Sequence, residues 1–191
     1  MKSICIYCGS SMGKSDTYKD EAIKLADALV AQQITLVYGG ASVGIMGVIA
    51  NRVLAGGGKV IGVIPNSLVE REVCHEGLSE LIVVADMHAR KAKMAELADG
   101  FIALPGGLGT LDELCEILTW SQLGIHNKPC AALNVEGYFD SLVGFFQKAV
   151  DEEFMKQQHK DMLMLETNAE DLIAKMIAYK PLNVSKWIRR N

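Results

Sequence analysis

Three stretches of the chain combine glycines with small hydroxyl residues: Gly9–Ser11, Gly39–Gly47 and Pro105–Thr110. Each follows a short apolar run, and the last two lead into helical patterns. Glycine lets backbone N–H groups approach a ligand closely, and a helix N-terminus favours negative charge. The last two stretches therefore predict a phosphorylated ligand. They match neither a G-K-[ST] phosphate loop nor G-x-G-x-x-G, so a pair of tight strand-to-helix turns is the alternative.

The third stretch continues into Thr110-Leu-Asp-Glu113, which allows two interpretations. In a capping box, Thr110 would cap the helix and Glu113 would fold back to the N–H of the cap. Alternatively, Glu113 would lie beside a sugar and stabilise the positive charge that develops as a glycosidic bond breaks. The local sequence alone favours the capping box.

Arg90 and Lys91 lie near the start of another predicted helix, where cations oppose the helix dipole. Arg90, Met94 and Leu97 are spaced at i, i+4 and i+7, so they share the core-facing side of this predicted helix. Because Arg90 is near the helix start, its side chain can reach the edge of the sheet where a ligand would bind. An inward-facing arginine needs an anionic partner. That partner is either a ligand or one of three nearby acidic residues: Glu72, Glu76 and Asp86.

Strand and helix patterns alternate along the chain, which predicts a parallel α/β sheet with right-handed crossovers. The strands are predicted at Ser3–Cys8, Thr35–Tyr38, Lys59–Ile64, Leu81–Val84, Gly100–Leu104 and Ala131–Val135. The helices are predicted at Asp16–Gln33, Gly44–Ala55, Met87–Ala98, Leu111–Gly124, Tyr138–Glu153 and Asn168–Tyr179. At 191 residues the chain is too short for an eight-fold barrel, which needs about 250. We expect one Rossmann-like, doubly wound domain of three α/β/α layers over residues 1–180, with a basic tail over 181–191.

Composition narrows the possible functions. The net charge of −4 and the absence of a basic run argue against nucleic acid as a partner. No apolar run reaches the roughly 20 residues that span a bilayer, and no signal segment is evident, so we expect no membrane association and a cytoplasmic location. Cys5 and Cys8 would point to opposite faces of a strand, and no second Cys or His pair completes a metal site. We therefore expect no metal.

Two spaced motifs together resemble a known family. Pro105-Gly-Gly-Leu-Gly-Thr-Leu-Asp-Glu113 fits P-G-G-x-G-T-x-x-E, and Met87-His-Ala-Arg-Lys91 fits the upstream M-x-x-R-K. The chain thus resembles the LOG ("Lonely Guy") cytokinin riboside 5'-monophosphate phosphoribohydrolases, formerly labelled lysine decarboxylase-like. The resemblance implies that Arg90 and Glu113 are the catalytic pair. The substrate-binding positions are then Gly40, Ser42, Glu72, Lys91, Gly107, Leu108, Gly109, Thr110, Leu111, Asp112 and Thr119.

The resemblance further implies a homodimer with sites at or near the interface, and hydrolysis of AMP or N6-modified AMP such as isopentenyladenosine monophosphate without metal or cofactor. Ala41, Asp112 and the segment 71–80 depart from the family pattern and put base selectivity in doubt. A non-catalytic nucleotide-binding or carrier module is one alternative. A pyridoxal-phosphate-dependent lysine decarboxylase is another, although the chain is short for it and no lysine has a suitable setting.

Overall fold

The computed structural model describes residues 1–69 and 74–181. Within them, seven parallel strands form one sheet in the order β4-β3-β2-β1-β5-β6-β7. The strands are β1 Ser3–Tyr7, β2 Thr35–Tyr38, β3 Val60–Pro65, β4 Glu80–Val84, β5 Phe101–Ala103, β6 Cys130–Leu133 and β7 Leu163–Glu166. The helices are α1 Asp16–Ala31, α2 Gly44–Ala55, α3 Asn66–Val69, α4 Met87–Leu97, α5 Leu108–Gln122, α6 Asp140–Asp151, α7 Gln157–Lys160 and α8 Ala169–Ile177, with a 3-10 turn at Val135–Gly137.

Apolar side chains on both faces of the sheet build the core, as strands covered on both sides require. Ile4 and Ile6 of β1 pack with α1, α2 and α8, whereas Cys5 and Tyr7 pack with α4 and α5. The three-layer α/β/α arrangement predicted from the sequence is confirmed. Cys8 joins the first of these clusters and Cys5 the second, so the two thiols do lie on opposite sides of the sheet.

The predicted elements agree with the structure to within a few residues, but the short helices α3 and α7 were not predicted, and two further differences are informative. Strand β7 was not predicted, because this edge strand is only half-buried and its short segment carries a weak apolar signal. Helix α5 begins at Leu108, three residues before the predicted start, because Gly107 rather than Thr110 is its cap.

The strand order places the topological switch between β1 and β5, which are neighbours although they lie far apart in sequence. Ligands of open α/β sheets bind beyond the carboxyl ends of the strands at such a point. The loops after β1 and β5 touch here, since the Gly9 N–H donates to the Pro105 carbonyl over 3.2 Å. A side chain at Gly106 would come within 2.8 Å of the Gly9 nitrogen, so this contact requires glycine. In the described part of the chain, no helix is long and apolar enough to cross a bilayer.

Candidate active site

A cavity of about 360 Å³ opens at the switch point. The ends of β1 and β2 and the first turns of α4 and α5 surround it. Its lining includes Arg90, Glu113 and Asp112, together with the glycines at 39, 107 and 109. A larger cavity of about 890 Å³ lies between α1 and α8, away from the strand ends. The cavity at the switch point is the candidate site because it brings Arg90 and Glu113 together with the glycine loop that begins α5.

The N-terminus of α5 forms one wall of this cavity. No side chain of the described residues caps it, and its first turn carries no acidic residue. The N–H groups of Leu108, Gly109 and Thr110 therefore lack helical partners and, with the helix dipole, are available to an anion. A methyl group on Gly107 or Gly109 would meet no described atom within 4 Å, so there is room for a ligand.

The capping-box interpretation of Thr110 and Glu113 is wrong. Thr110 lies inside the first turn, buried, with its hydroxyl so close to Gly106 that a Cβ there would be 2.1 Å away. Among the described residues, no hydrogen bond joins Glu113 to the start of the helix. Glu113 is thereby free for the second interpretation, a carboxylate that faces a ligand.

Arg90 projects from the first turn of α4 and is buried, with 7% of its surface exposed. Within the described residues it has no carboxylate in ion-pair contact, its Nε has no acceptor, and one Nη lies 3.7 Å from the Met87 sulfur. Asp86 caps α4 instead, accepting from the Ala89 N–H at 2.8 Å. A buried cation is costly without an anionic partner, so the guanidinium, which has none among the described residues, is available to a bound anion.

Gly39, at the end of β2, makes the space that Arg90 occupies. A Cβ on Gly39 would lie 2.0 Å from the Arg90 Nη2 atom, which no side chain can do. The sequence analysis emphasised the next glycine, Gly40, but that residue packs against Ile64 outside the cavity lining. Placement at the carboxyl end of a strand is the signal that could have singled out Gly39.

Glu113 lines the same cavity as Arg90. Burial raises the pKa of Glu113 to about 7, and the repulsion of Asp112 and Glu116 adds to this effect. The positive charges of Arg90 and Lys91 act in the opposite direction. A carboxyl group whose pKa lies near neutrality suits acid–base work, and such shifts cluster at functional sites.

Lys91 points away from the cavity centre. Its Nζ bonds the Asp112 carboxylate at 2.7 Å and lies 3.3 Å from Glu116, so it ties α4 to α5. Burial disfavours the charged form, but the bonds to the two carboxylates outweigh it and raise the pKa of Lys91.

The structure does not bring every predicted position into this cavity. Leu111 packs in the core beside α6, and Ser42 lies at the N-terminus of α2, outside the cavity lining. Thr119 donates to the Cys115 carbonyl at 2.7 Å and lines a separate small cavity. Glu72 lies outside the described residues. Ser10 and Met46 also line the site; the sequence analysis included them in its glycine-rich stretches but did not single them out as binding positions.

Fold and site together define a Rossmann-like α/β protein with an anion-binding helix terminus beside an Arg–Glu pair. The family model "Possible lysine decarboxylase" matches residues 46–176. Cytokinin riboside 5'-monophosphate phosphoribohydrolase LOG5 of Arabidopsis thaliana is 50% identical over 95% of this chain and 80% of its own. LOG1 of the same plant is 52% identical, over 94% and 84%. The chain belongs to this family of LOG cytokinin riboside 5'-monophosphate phosphoribohydrolases, as its motifs predicted.

Solved structures confirm the fold. The molybdenum cofactor carrier protein of Chlamydomonas reinhardtii superposes with a TM-score of 0.71 over 93% of this chain and 99% of its own, at 18% identity. The molybdenum cofactor binding protein of Rippkaea orientalis gives a TM-score of 0.70 at 22% identity, over 93% and 97%. At these identities the likeness concerns the Rossmann-like architecture alone.

Proposed function

We propose that this protein hydrolyses the N-glycosidic bond of adenosine 5'-monophosphates, including N6-modified ones, to the free base and ribose 5-phosphate. One observation carries the proposal: a buried Arg90, which has no carboxylate partner among residues 1–69 and 74–181, shares a cavity with Glu113 and an uncapped helix N-terminus. The relatives at about 50% identity, which are named for this reaction, support it.

The 5'-phosphate would bind the N–H groups of Leu108, Gly109 and Thr110. These hydrogen bonds to the phosphate lie away from the reacting bond, so they supply binding energy that positions the sugar. A nucleoside without the phosphate should accordingly be a poor substrate.

Glu113 would act at the ribosyl centre. As the C1'–N9 bond breaks, its electron pair leaves with the purine and positive charge develops on the sugar, which a carboxylate stabilises. Glu113 would then accept a proton from the water whose oxygen forms the new bond to C1'. The departing purine takes up a proton, and Arg90 offsets the negative charge on the phosphate or on the purine.

We also propose a homodimer with sites near its interface. Two observations support it: Leu108 at the cavity mouth is 86% exposed, and Ile125, just beyond α5, is 63% exposed. These two side chains lie at opposite ends of α5, so the interface that we propose runs along this helix. Thr119 does not line the candidate site of its own subunit. In the dimer it would contact the substrate that is bound to the other subunit. Sedimentation equilibrium tests this, and a monomer at all concentrations would contradict it.

A cytoplasmic location is part of the same proposal. All five thiols are free, and unpaired cysteines are typical of reducing compartments. Fractionation of the source cells checks it.

The decisive experiment incubates the protein with AMP and with isopentenyladenosine monophosphate, and follows free base and ribose 5-phosphate by chromatography. We expect both products, little reaction with adenosine, and a loss of about 100-fold or more in kcat for Glu113→Gln and for Arg90→Ala. Lys93→Met, which changes only an exposed ion pair within α4, is the control. Binding without base release would favour a carrier, and cadaverine from lysine would favour a decarboxylase.

A further inference from the structure

The peptide that joins Gly106 to Gly107 lies directly before α5, between two cavities. The candidate site is lined by Gly107, whereas a neighbouring cavity of about 300 Å³ is lined by Gly107, Gly106 and Tyr138. The Tyr138 hydroxyl donates to the Gly106 carbonyl at 2.7 Å. In a planar trans peptide the N–H points opposite to the carbonyl, so the Gly107 N–H is directed away from Tyr138, towards the candidate site.

This peptide needs a restraint because a glycine lies on each side of it. A rotation of the peptide plane would exchange the carbonyl oxygen for the N–H, and without Cβ atoms little steric hindrance opposes it. The carbonyl oxygen would then face a phosphate at the start of α5 and repel it through its partial negative charge. The bond from Tyr138 gives the Gly106 carbonyl a partner on the opposite side, just as the Gly9 N–H does for the Pro105 carbonyl.

Tyr138 is itself held in place by the turn between β6 and α6. The buried Asn134 side chain accepts from the Phe139 N–H at 2.8 Å, which closes this turn. The Tyr138 ring packs edge-on against Tyr18, with ring centroids 5.9 Å apart, and against Phe139 at 5.3 Å. The hydroxyl therefore approaches the Gly106 carbonyl from a fixed direction.

We propose that Tyr138 is a positioning residue for phosphate binding: its hydroxyl holds the peptide between Gly106 and Gly107 so that the N–H, and not the carbonyl, faces the phosphate. A tyrosine hydroxyl has one proton to donate, and Tyr138 donates it to Gly106. Tyr138 therefore acts through the peptide and does not itself donate to the phosphate. This inference rests on the proposed hydrolase function and adds a residue to its phosphate site.

The test compares Tyr138→Phe with Tyr18→Phe. Each change removes one hydroxyl and keeps both rings of the same aromatic pair, but Tyr138 is the residue that bonds Gly106. Isothermal titration calorimetry with ribose 5-phosphate and with adenosine separates phosphate binding from the rest of the site. We expect Tyr138→Phe to weaken ribose 5-phosphate binding about fivefold, as the loss of one hydrogen bond does, and to leave adenosine binding unchanged. Tyr18→Phe should match the wild type with both ligands.

The kinetics of adenine release from AMP provide a second measurement. Tyr138→Phe should raise KM about fivefold while kcat changes less than about twofold, because the phosphate is bound in both the ground state and the transition state. A purely structural defect would instead lower kcat and the melting temperature together. Thermal melting confirms that each variant is folded.

Three results would overturn the inference. The first is an unchanged affinity of folded Tyr138→Phe for ribose 5-phosphate, and the second is an equal loss of adenosine binding. The third is a ribose 5-phosphate complex in which the Tyr138 oxygen lies within hydrogen-bond distance of a phosphate oxygen. Failure of the wild type to release base overturns the proposed function, whereas the calorimetric comparison measures phosphate binding without turnover, so the two failures are distinguishable.

Discussion

Replacing Gly39 by alanine tests whether the position of the Arg90 guanidinium matters. The new methyl carbon would lie 2.0 Å from the Arg90 Nη2 atom, while ordinary contact begins at 3.4 Å. The guanidinium must therefore retreat by about 1.4 Å. A misplacement of 1 Å can cost on the order of 100-fold in rate, so we expect kcat to fall about 100-fold, which corresponds to about 2.7 kcal/mol.

The cost to folding should be small by comparison. The clashing atom is the far end of a flexible side chain, and Gly39 does not have a positive φ, so an alanine fits its backbone. Gly144→Ala in α6 is the matched control, because its methyl group would meet no described atom within 4 Å. We expect that variant to keep wild-type activity and to melt at the same or a higher temperature, since alanine favours helices.

Steady-state release of adenine from AMP measures the effect, with thermal melting alongside. The Gly39→Ala change should also cost nothing further in an Arg90→Ala background, because the two changes remove the same interaction. A folded Gly39→Ala variant with kcat within threefold of the wild type would refute the reasoning, as would additive losses in the double variant.

Three further predictions concern Glu113 and the helix terminus beside it. Because burial raises the pKa of Glu113 to about 7, the acid limb of kcat/KM should lie near pH 7; a limb near the ordinary 4.5 would contradict this. The folded pKa lies above the unfolded one, so ionising Glu113 lowers stability as pH rises from about 4.5 to 7. Glu113→Gln should therefore exceed the wild type in unfolding free energy by up to roughly 3 kcal/mol at pH 8 and by far less at pH 5, as measured by urea denaturation. Gly109→Ala should fold normally but raise KM for AMP by about tenfold or more, because its methyl group occupies space open to the phosphate; an unchanged KM would remove Gly109 from the binding site.

The sequence alone was sufficient to predict the three α/β/α layers and the edge of the sheet that carries the candidate site. Short apolar runs alternating with amphipathic segments specify a parallel sheet covered on both faces, since a strand such as β3 has no other place to bury its six residues. The glycine stretch 105–110 marked the ligand edge because backbone N–H groups at a helix start have no partners within the helix. Local chemistry of this kind can be predicted from sequence.

The tertiary structure decided the partners of the charged residues. Local sequence favoured a cap role for Glu113 and allowed Arg90 an acidic neighbour. Among the residues that the structure describes, Glu113 instead has no bond to the start of the helix, and the Arg90 Nε has no acceptor. Gly39 reaches Arg90 only because β2 and α4 meet around one cavity, and Lys91 reaches Asp112 only because α4 and α5 share one face of the sheet. Such pairings depend on distances between segments far apart in the chain, which residue spacing along the sequence does not contain.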